Sequence, residues 1–124
     1  MECQFCRINK EKKYLMDNEL AYALLDNYPV SDGHTLIISK RHVETFFDLT
    51  DQEIQAFHDL ALKVKKYLDE KYHPIGYNVG FNCGAAAGQT VMHCHMHIIP
   101  RYEGDCDNPR GGVRKILHHH KVNY

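Results

Sequence analysis

Three histidines, at positions 93, 95 and 97, alternate with a cysteine and a methionine in the stretch 93–100. Strict alternation is the period of a β-strand, so we predict that the histidines share one face of a strand, about 7 Å apart. Cys94, Met96 and Ile98 are then expected to point the other way, into a core. Apolar side chains would bury more favourably than three imidazoles, so packing alone does not explain the pattern. It indicates either catalysis or a simple metal site.

The stretch before this strand, residues 84–92, is rich in glycine and alanine and contains Gln89 and Thr90. Small residues let the backbone approach a ligand closely, and backbone N–H groups in such a loop can face an anion. The two polar side chains add hydrogen-bond donors. A loop of this kind leading into a histidine strand favours a phosphate held beside a nucleophile.

The composition narrows the class of protein. With 124 residues, the chain is expected to form a single domain over positions 1–124. A formal net charge of -1 argues against a general nucleic-acid binder, which is normally basic. No apolar run approaches the ~20 residues of a membrane span, and the first residues do not resemble a signal peptide, so we expect no membrane partner and a cytoplasmic location. Ten histidines are an excess for a chain of this size.

Two cysteines, Cys3 and Cys6, are spaced as Cys-x-x-Cys. This spacing occurs both in redox pairs and in half of a zinc site. A thioredoxin-like redox pair would need a preceding strand, for which position 3 leaves no room. A zinc site would need two more ligands, and histidines must supply them because there is no second Cys-x-x-Cys. Five cysteines is an odd number, and disulfides are not expected in a reducing compartment.

The rest of the sequence predicts four further strands and one long helix. Apolar runs separated by turn residues predict the strands at 14–16, 20–25, 35–39 and 75–82. A capping box of Thr50 and Glu53 predicts the start of a helix that ends near Tyr72. Its apolar residues form one stripe, at Ile54, Phe57, Ala61, Val64 and Leu68. With the histidine strand, these elements predict an α+β fold, an antiparallel sheet of about five strands with one long helix.

The carboxyl-terminal part of the chain predicts little regular structure. Residues 101–114 are rich in glycine, aspartate and asparagine, which predicts a loop. Arg101, Arg110 and Arg114 lie in this segment and are either contacts for distal phosphates or surface charges. The three histidines at 118–120 are expected to form an exposed tract with adventitious metal affinity.

The stretch 84–101 resembles the signature of the histidine triad (HIT) superfamily of nucleotide hydrolases and transferases. The histidines alternate with apolar residues, Gly88-Gln89-Thr90-Val91 precedes them and Ile99-Pro100-Arg101 follows them. The resemblance extends upstream to residues 33–42 and covers nearly the whole chain. Ser39 stands where the family often has proline, but the following Lys40-Arg41-His42 matches the family.

This resemblance implies a zinc site. In zinc-containing HIT proteins the metal is bound by a cysteine pair, the histidine that closes a Lys-x-His segment, and the first triad histidine. The matching residues here are Cys3, Cys6, His42 and His93. Four protein ligands leave no open position for water, so one structural zinc per chain is expected.

The resemblance also implies that the middle histidine, His95, is the nucleophile. An unperturbed imidazole has a pKa of ~6.5 and is mostly neutral above pH 7, with a free lone pair. One ring nitrogen would attack the α-phosphorus of a nucleotide while an acceptor holds the other N–H, giving a covalent nucleotidyl-histidine that water cleaves. His97 is assigned to the phosphate and the departing group. Gln89, Thr90 and Asn82 are expected to stabilise the phosphoryl oxygens, and His95, His97 and Gln89 form the expected catalytic set.

The roles of three further residues each have two interpretations. Asp26 matches the family position that binds the ribose hydroxyls, although a loop aspartate is more commonly a turn or cap residue. Asn82 matches an amide that contacts phosphate, although it is also a plausible polar strand end. His34 either packs behind the triad or orients one of the triad histidines without touching the ligand itself.

The family resemblance further implies a homodimer with a nucleotide substrate. We favour a dinucleoside polyphosphate of the diadenosine tetraphosphate type, with release of a nucleoside monophosphate, because a polyphosphate departs without much protonation. Residues 108–114 also resemble a segment of HIT proteins that hydrolyse diadenosine polyphosphates. A purine nucleoside phosphoramidase and a low-turnover nucleotide sensor are the alternatives. A zinc-dependent nucleic-acid module is disfavoured by the absence of a basic, aromatic patch.

Overall fold

The computed structural model describes residues 3–117. It contains two α-helices, α1 (Gln4–Glu11) and α2 (Asp51–Tyr72), and five strands, β1 (Met16–Asp17), β2 (Ala21–Leu25), β3 (Thr35–Ser39), β4 (Gly76–Phe81) and β5 (His95–Arg101). The strands form one antiparallel sheet in the order β1-β2-β3-β5-β4. This confirms the expected α+β fold with one long helix. The histidine tract at 118–120 lies outside the described residues.

The long helix α2 begins where its capping box predicts. The N–H of Glu53 donates to the Thr50 hydroxyl at 3.1 Å, and the N–H of Thr50 donates to the Glu53 carboxylate at 2.9 Å. The buried stripe differs at the first turns, because Ile54 is 40% exposed whereas Ala56 and Leu60 are buried. Ile54 lies about 120° around the helix from Leu60, too far to face the same core. Neither α2 nor α1 is long and apolar enough to cross a membrane.

The sheet carries an apolar layer on each face. On one face α2 packs over a core of Ala21, Ala23, Ile37, Phe57, Leu60, Val64, Leu68, Cys94, Met96 and Ile98. The prediction that residues 94, 96 and 98 face a core is therefore confirmed. On the other face α1 contributes to a smaller cluster of Phe5, Tyr22, Leu36 and Ile38. The triad histidines belong to this second side, since they alternate with the core residues along the chain.

The short helix α1 was not predicted from the sequence. Its eight residues are mostly polar, and its N-cap residue Cys3 makes no side-chain cap hydrogen bond, so the usual start signal is missing. A helix of this length is marginal in isolation and depends on tertiary contacts. Those contacts come from Phe5, which is buried, and from the Tyr22 hydroxyl, which donates to the Phe5 carbonyl at 2.6 Å.

The boundaries of the histidine strand were predicted wrongly at the amino end. β5 begins at His95, so His93 lies just before the strand. There the N–H of Cys94 donates to the carbonyl of Val43 at 2.7 Å, outside the regular ladder between β3 and β5. This break lets His93 leave the line of the strand and face the segment that follows β3.

The prediction of a loop over residues 101–114 was also wrong in part. Arg101 belongs to β5, where it pairs with Gly76 of β4. A 3-10 helix, Gly112–Ile116, occupies the end of the predicted loop. Strand pairing and short 3-10 turns depend on contacts that local composition does not encode, which explains the difference.

Candidate functional site

Four predicted metal ligands converge under α1. The Sγ atom of Cys3 is 3.3 Å from Nδ1 of His93, and Sγ of Cys6 is 3.2 Å from Nδ1 of His42. The two Nδ1 atoms of His42 and His93 are 3.2 Å apart, and all four ligand atoms lie within 4.8 Å of one another. Ordinary Zn–S and Zn–N bonds in a tetrahedron separate ligand atoms by about 3.3–3.8 Å. The donor set and its spacing therefore fit a tetrahedral zinc ion.

The tautomer of His93 is set for metal binding. Its Nε2–H donates to the carbonyl of Ser39 at 2.6 Å, which leaves the Nδ1 lone pair facing the cluster. Burial lowers the pKa of His93, and burial together with the neighbouring Cys3 thiol raises the pKa of Cys6. A bound cation would favour the thiolate and the neutral imidazole, which offsets the cost of burying them.

His95 is buried beside this cluster with its tautomer fixed in the opposite sense. Its Nδ1–H donates to the carbonyl of His93 at 2.8 Å, so the lone pair resides on Nε2. The side chain is 7% exposed. The backbone carbonyl of His93 thus orients His95, while the imidazole of His93 belongs to the metal cluster.

His97 and His34 form a relay of hydrogen bonds. The N–H of Val30 donates to Nδ1 of His34 at 3.1 Å, so the proton of a neutral His34 resides on Nε2. That Nε2–H donates to Nδ1 of His97 at 3.0 Å. Burial, followed by the nearby His95 and His34, lowers the pKa of His97 to about 4, so His97 is neutral and carries its proton on Nε2. This contact favours the orienting reading of His34.

The Nε2–H of His97 is the end of that relay. Among the described residues, this nitrogen is a buried side-chain atom without a hydrogen-bond partner. A buried donor that lacks an acceptor costs about 1–3 kcal/mol. His97 lines a cleft of about 590 Å³, a volume within the usual range for small-molecule sites. An acceptor on a ligand in that cleft would satisfy the donor.

The cleft lies between the sheet and the carboxyl-terminal segment. Its lining includes His34, Asn78 and Asn82, together with residues of β5 and of the segment 106–116. Asn82 therefore lines the same cleft as His97. The hypothesis that Asn82 contacts a phosphate requires this position. Asn82 also lies opposite the loop glycine at position 88, whose missing Cβ would be 4.0 Å from the Asn82 amide.

Gln89 has a different environment from the one we expected. The residue is 4% exposed, and its Nε2 group donates to the carbonyls of Glu44 at 2.7 Å and Val91 at 3.0 Å. Its Oε1 accepts the N–H of Gly84 at 2.8 Å. Both side-chain N–H groups are engaged by the backbone, so Gln89 holds the loop in place. Thr90 is exposed and lines a cavity beside the metal cluster.

Asp26 makes a turn contact and also lies beside His34. Its Oδ1 accepts the N–H of Tyr28 at 3.0 Å, which is the turn contact expected of a loop aspartate. Its Oδ2 lies 3.4 Å from Nε2 of His34. Asp26, His34 and His97 form one cluster with ligand atoms within 4.8 Å of one another. The structure thus places Asp26 at the triad side of the sheet.

The three arginines of the carboxyl-terminal segment lie in different environments. Arg101 forms a two-pronged ion pair with Asp105, with both N–O distances at 2.8 Å, and donates to Asn78 at 2.7 Å. This pair holds the pKa of Asp105 well below its usual range. Arg110 and Arg114 lie on the exposed part of the segment after β5. Arg101 is therefore chiefly a structural residue at the base of that segment.

Two features of the site were missed in the sequence. The Phe5 ring packs edge-on against His93 and His95, with ring centroids 5.8 and 5.2 Å away. The sequence feature that could have pointed to Phe5 is the presence of an aromatic residue inside the Cys-x-x-Cys spacing. Lys115 lines the cleft from the 3-10 helix, and no sequence signal separated it from other surface lysines.

The chain is similar to known proteins over most of its length. A model of the HIT domain family matches residues 7–104. The "Protein hit" of Bacillus subtilis is 38% identical over 107 residues, which are 83% of this chain and 74% of that protein. The crystal structure of a zinc-bound histidine triad family protein from Mycobacterium smegmatis has 32% identity and a TM-score of 0.77, covering 85% of this chain and 78% of that one.

One relative has an activity in its name. The AP-4-A phosphorylase of Mycobacterium tuberculosis is 39% identical over 93 residues, which are 72% of this chain and 46% of that longer protein. Members of the matching family bind nucleotides and are generally nucleotide hydrolases or transferases. With a family model that spans residues 7–104 and relatives of this similarity, the chain belongs to the HIT domain family.

Proposed function

We propose that the protein hydrolyses dinucleoside polyphosphates of the diadenosine tetraphosphate type at the α-phosphorus, through a nucleotide covalently attached to His95. The supporting observation is a pair of complementary imidazoles. His95 has its lone pair on Nε2, and His97, whose ring centroid is 5.1 Å away, has an Nε2–H without a partner in the described part of the chain. A nucleophile beside a hydrogen-bond donor is the arrangement that phosphoryl attack needs.

In the first step, Nε2 of His95 attacks the α-phosphorus and the bond from that phosphorus to the bridging oxygen breaks. The electron pair leaves with the bridging oxygen of the polyphosphate. The Nδ1–H of His95 stays bonded to the His93 carbonyl, which stabilises the positive charge of the substituted ring. The Nε2–H of His97 donates to an oxygen of the reacting phosphate or of the leaving group.

In the second step, water attacks the same phosphorus and the P–N bond breaks. The electron pair returns to Nε2 of His95, and the nucleoside monophosphate departs. Each turnover of diadenosine tetraphosphate thus consumes one water and gives AMP and ATP. The proton lost by the water is accepted by product or solvent, so that His95 regains its starting tautomer.

The other residues of the site have supporting roles in this proposal. Asn82 and backbone N–H groups of the loop before the triad contact the phosphoryl oxygens, and Asp26 accepts from the ribose hydroxyls. Gln89 acts as a positioning residue, because its side chain fixes the loop through Glu44 and Gly84. Thr90, which follows Gln89 in this loop, adds a hydroxyl donor to the phosphate contacts.

We further propose that Cys3, Cys6, His42 and His93 hold one zinc ion per chain. The fit of their spacing to a tetrahedron and the zinc-bound relative from Mycobacterium smegmatis support this. A zinc with four protein ligands supplies structural cross-linking rather than an activated water. His93 held in this way keeps its carbonyl under the Nδ1–H of His95.

A nucleoside phosphoramidase is the second candidate. The ion pair of Arg101 with Asp105 favours it, because one of the three arginines expected to contact distal phosphates is already engaged. The same His95 attack would break a P–N bond, and the leaving amine would need the His97 proton. A low-turnover sensor remains the other alternative and would give one product per subunit without further turnover.

The test is turnover with diadenosine tetraphosphate and with an adenosine phosphoramidate at equal concentration, followed by product analysis. We expect the polyphosphate to be preferred, with AMP and ATP as products. ADP formed only when inorganic phosphate is added would indicate that phosphate replaces water as acceptor, the reaction named in the mycobacterial relative. Preference for the amidate would replace the proposal by the phosphoramidase. An exposed-site variant, His58→Ala, serves as the control that should match the wild type.

We also propose that residues 1–124 work as one domain in a homodimer located in the cytoplasm. The edge strand β4 has one side free of neighbours within the sheet, and such edges pair readily with a second copy. A reducing compartment would keep Cys3 and Cys6 as metal-binding thiols. Analytical ultracentrifugation should give twice the mass of the chain, and cell fractionation should place the protein in the cytoplasmic fraction.

A further inference from the structure

The cleft beside His97 has one wall made by the segment 106–116, which lies beyond the residues 7–104 that match the family model. The segment is held against the sheet by the contact of Arg101 with Cys106 at 3.2 Å and by the ion pair with Asp105. Its 3-10 helix, Gly112–Ile116, turns several side chains into the cleft. This wall therefore lies outside the part of the chain that the family model matches.

Two cationic side chains, Arg101 and Lys115, line the described cleft. The charge of Arg101 is balanced by the carboxylate of Asp105. Lys115 donates instead, among the described residues, to the main-chain carbonyl of Asn108, which is a neutral partner. An ammonium group has three donors, so a lysine held by one carbonyl keeps two for a ligand. Because burial holds His97 in its neutral form, Lys115 is the principal source of positive charge in the cleft.

The same wall also presents apolar surface. Val113 and Ile116 are 63% and 73% exposed, and Val79 on the facing strand is 52% exposed. All three line the cleft, which has room for a nucleoside. An apolar surface that surrounds a cationic side chain is suited to a ligand with one anionic group and one flat, apolar group.

We propose that Lys115 is the specificity-determining residue for the leaving group and that it binds the distal phosphates of a polyphosphate while the apolar wall accepts the second nucleoside. The inference rests on the proposed function, because it assigns the far half of the same substrate. It replaces the expectation that the arginines at 101, 110 and 114 jointly serve this purpose. An amidate with a neutral leaving group would gain nothing from Lys115.

The experiment compares wild type with Lys115→Met, which keeps the length and removes the charge, and Lys115→Arg, which keeps the charge. Lys63→Met, on the exposed face of α2, is the matched control. For each variant, kcat/KM is measured with diadenosine tetraphosphate and with an adenosine phosphoramidate that has a neutral amine. We expect Lys115→Met to lose about tenfold on the polyphosphate and to stay within about twofold on the amidate. Lys115→Arg and the control should stay within about threefold on both.

Binding separates this inference from the proposed reaction. The dissociation constants of ATP and AMP are measured in the same variants, in the absence of turnover. Wild type should bind ATP more tightly than AMP, and Lys115→Met should remove most of that advantage without weakening AMP. An ATP advantage that survives the substitution, or equal losses on polyphosphate and amidate, would overturn the role of Lys115. If instead the ATP advantage depends on Lys115 but no polyphosphate is cleaved, the proposed reaction fails and the assignment of Lys115 stands.

Discussion

His93 and His97 lie on the same side of the sheet, four positions apart, but their polar atoms are used differently. Both ring nitrogens of His93 are engaged, one by the Ser39 carbonyl and the other by the cysteine and histidine ligands. His97 has one nitrogen engaged by His34 and one that is buried without a partner among residues 3–117. The contacts within the protein use both ring nitrogens of His93, whereas His97 retains a donor that no described residue satisfies.

His95 lies between these two regions and depends on both. The first holds its tautomer through the His93 carbonyl, and the second supplies the donor that faces the ligand cleft. The hydrogen bond to one ring nitrogen decides what the other nitrogen can do, so the proposal gives three roles to one repeated residue type. If this division is correct, substitutions on the two sides should have separable effects on stability and turnover.

The largest effect is expected at His95 itself. His95→Ala removes the attacking nitrogen and should lower kcat by about a thousandfold or more, while AMP binding changes little, because the phosphate contacts remain. Steady-state turnover and the AMP dissociation constant are the measurements, with His58→Ala as the control. Turnover within tenfold of wild type would show that another group attacks the phosphorus.

The next effect concerns the metal side. Cys6→Ala should lose the zinc and about 2–3 kcal/mol of stability, which for a domain of this size lowers Tm by roughly 10 °C. Cys83→Ala, at a half-buried cysteine outside the cluster, should keep the metal and stay close to the wild-type Tm. Elemental analysis and thermal unfolding measure the two quantities. Wild type that remains equally stable after exhaustive chelation would contradict a structural role for the metal.

A smaller effect is expected at His34. His34→Ala removes the donor to His97 Nδ1 and should lower kcat by about 10–100-fold without changing the metal content. It should also lower Tm, because the Val30 N–H and His97 Nδ1 lose their partner. His34→Gln offers an acceptor to Val30 and a donor to His97, so it should recover part of the loss. Equal kcat for His34→Ala and wild type would mean that the relay has no part in turnover.

The smallest effect is on the pH dependence of stability. His97 has a pKa of about 4 in the folded protein, against an ordinary value of 6.5, so the unfolded chain binds an additional proton between these values. Acid therefore destabilises the folded state, with the penalty absent above pH 6.5 and fully present below about pH 4. His97→Asn should lose less stability than wild type between pH 7 and pH 5, measured as urea midpoints with zinc present. If the urea midpoints of the two proteins fell by the same amount between pH 7 and pH 5, the buried neutral state of His97 would be contradicted.

The sequence predicted those parts of the molecule that depend on local pattern. β3 matches residues 35–39 because a continuous apolar, partly β-branched run has few alternatives. Helix α2 begins directly after its N-cap residue Thr50 because the capping box is a local signal. The alternating burial of residues 94, 96 and 98 also followed from strand period alone. The convergence of the four metal ligands was expected through the family resemblance rather than from spacing.

The remainder depends on contacts between distant residues. Helix α1 has no start signal of its own, and its place is decided by Phe5 and by the cysteines that face His42 and His93. The burial of Gln89 depends on the carbonyl of Glu44, which is 45 positions away. The orientation of His34 depends on a backbone N–H that carries no sequence signature. No reading of composition or period could have supplied these three features.

The covalent nucleotidyl-His95 is the central claim, and a rapid-quench experiment tests it most directly. Wild-type protein is mixed with a small excess of diadenosine tetraphosphate, quenched at alkaline pH within a single turnover, digested and analysed by mass spectrometry. We expect an acid-labile, base-stable AMP adduct on the peptide that contains His95, formed and lost at rates that account for kcat, and no adduct in His95→Ala. Full turnover without any adduct, or an adduct on another residue, would contradict the account.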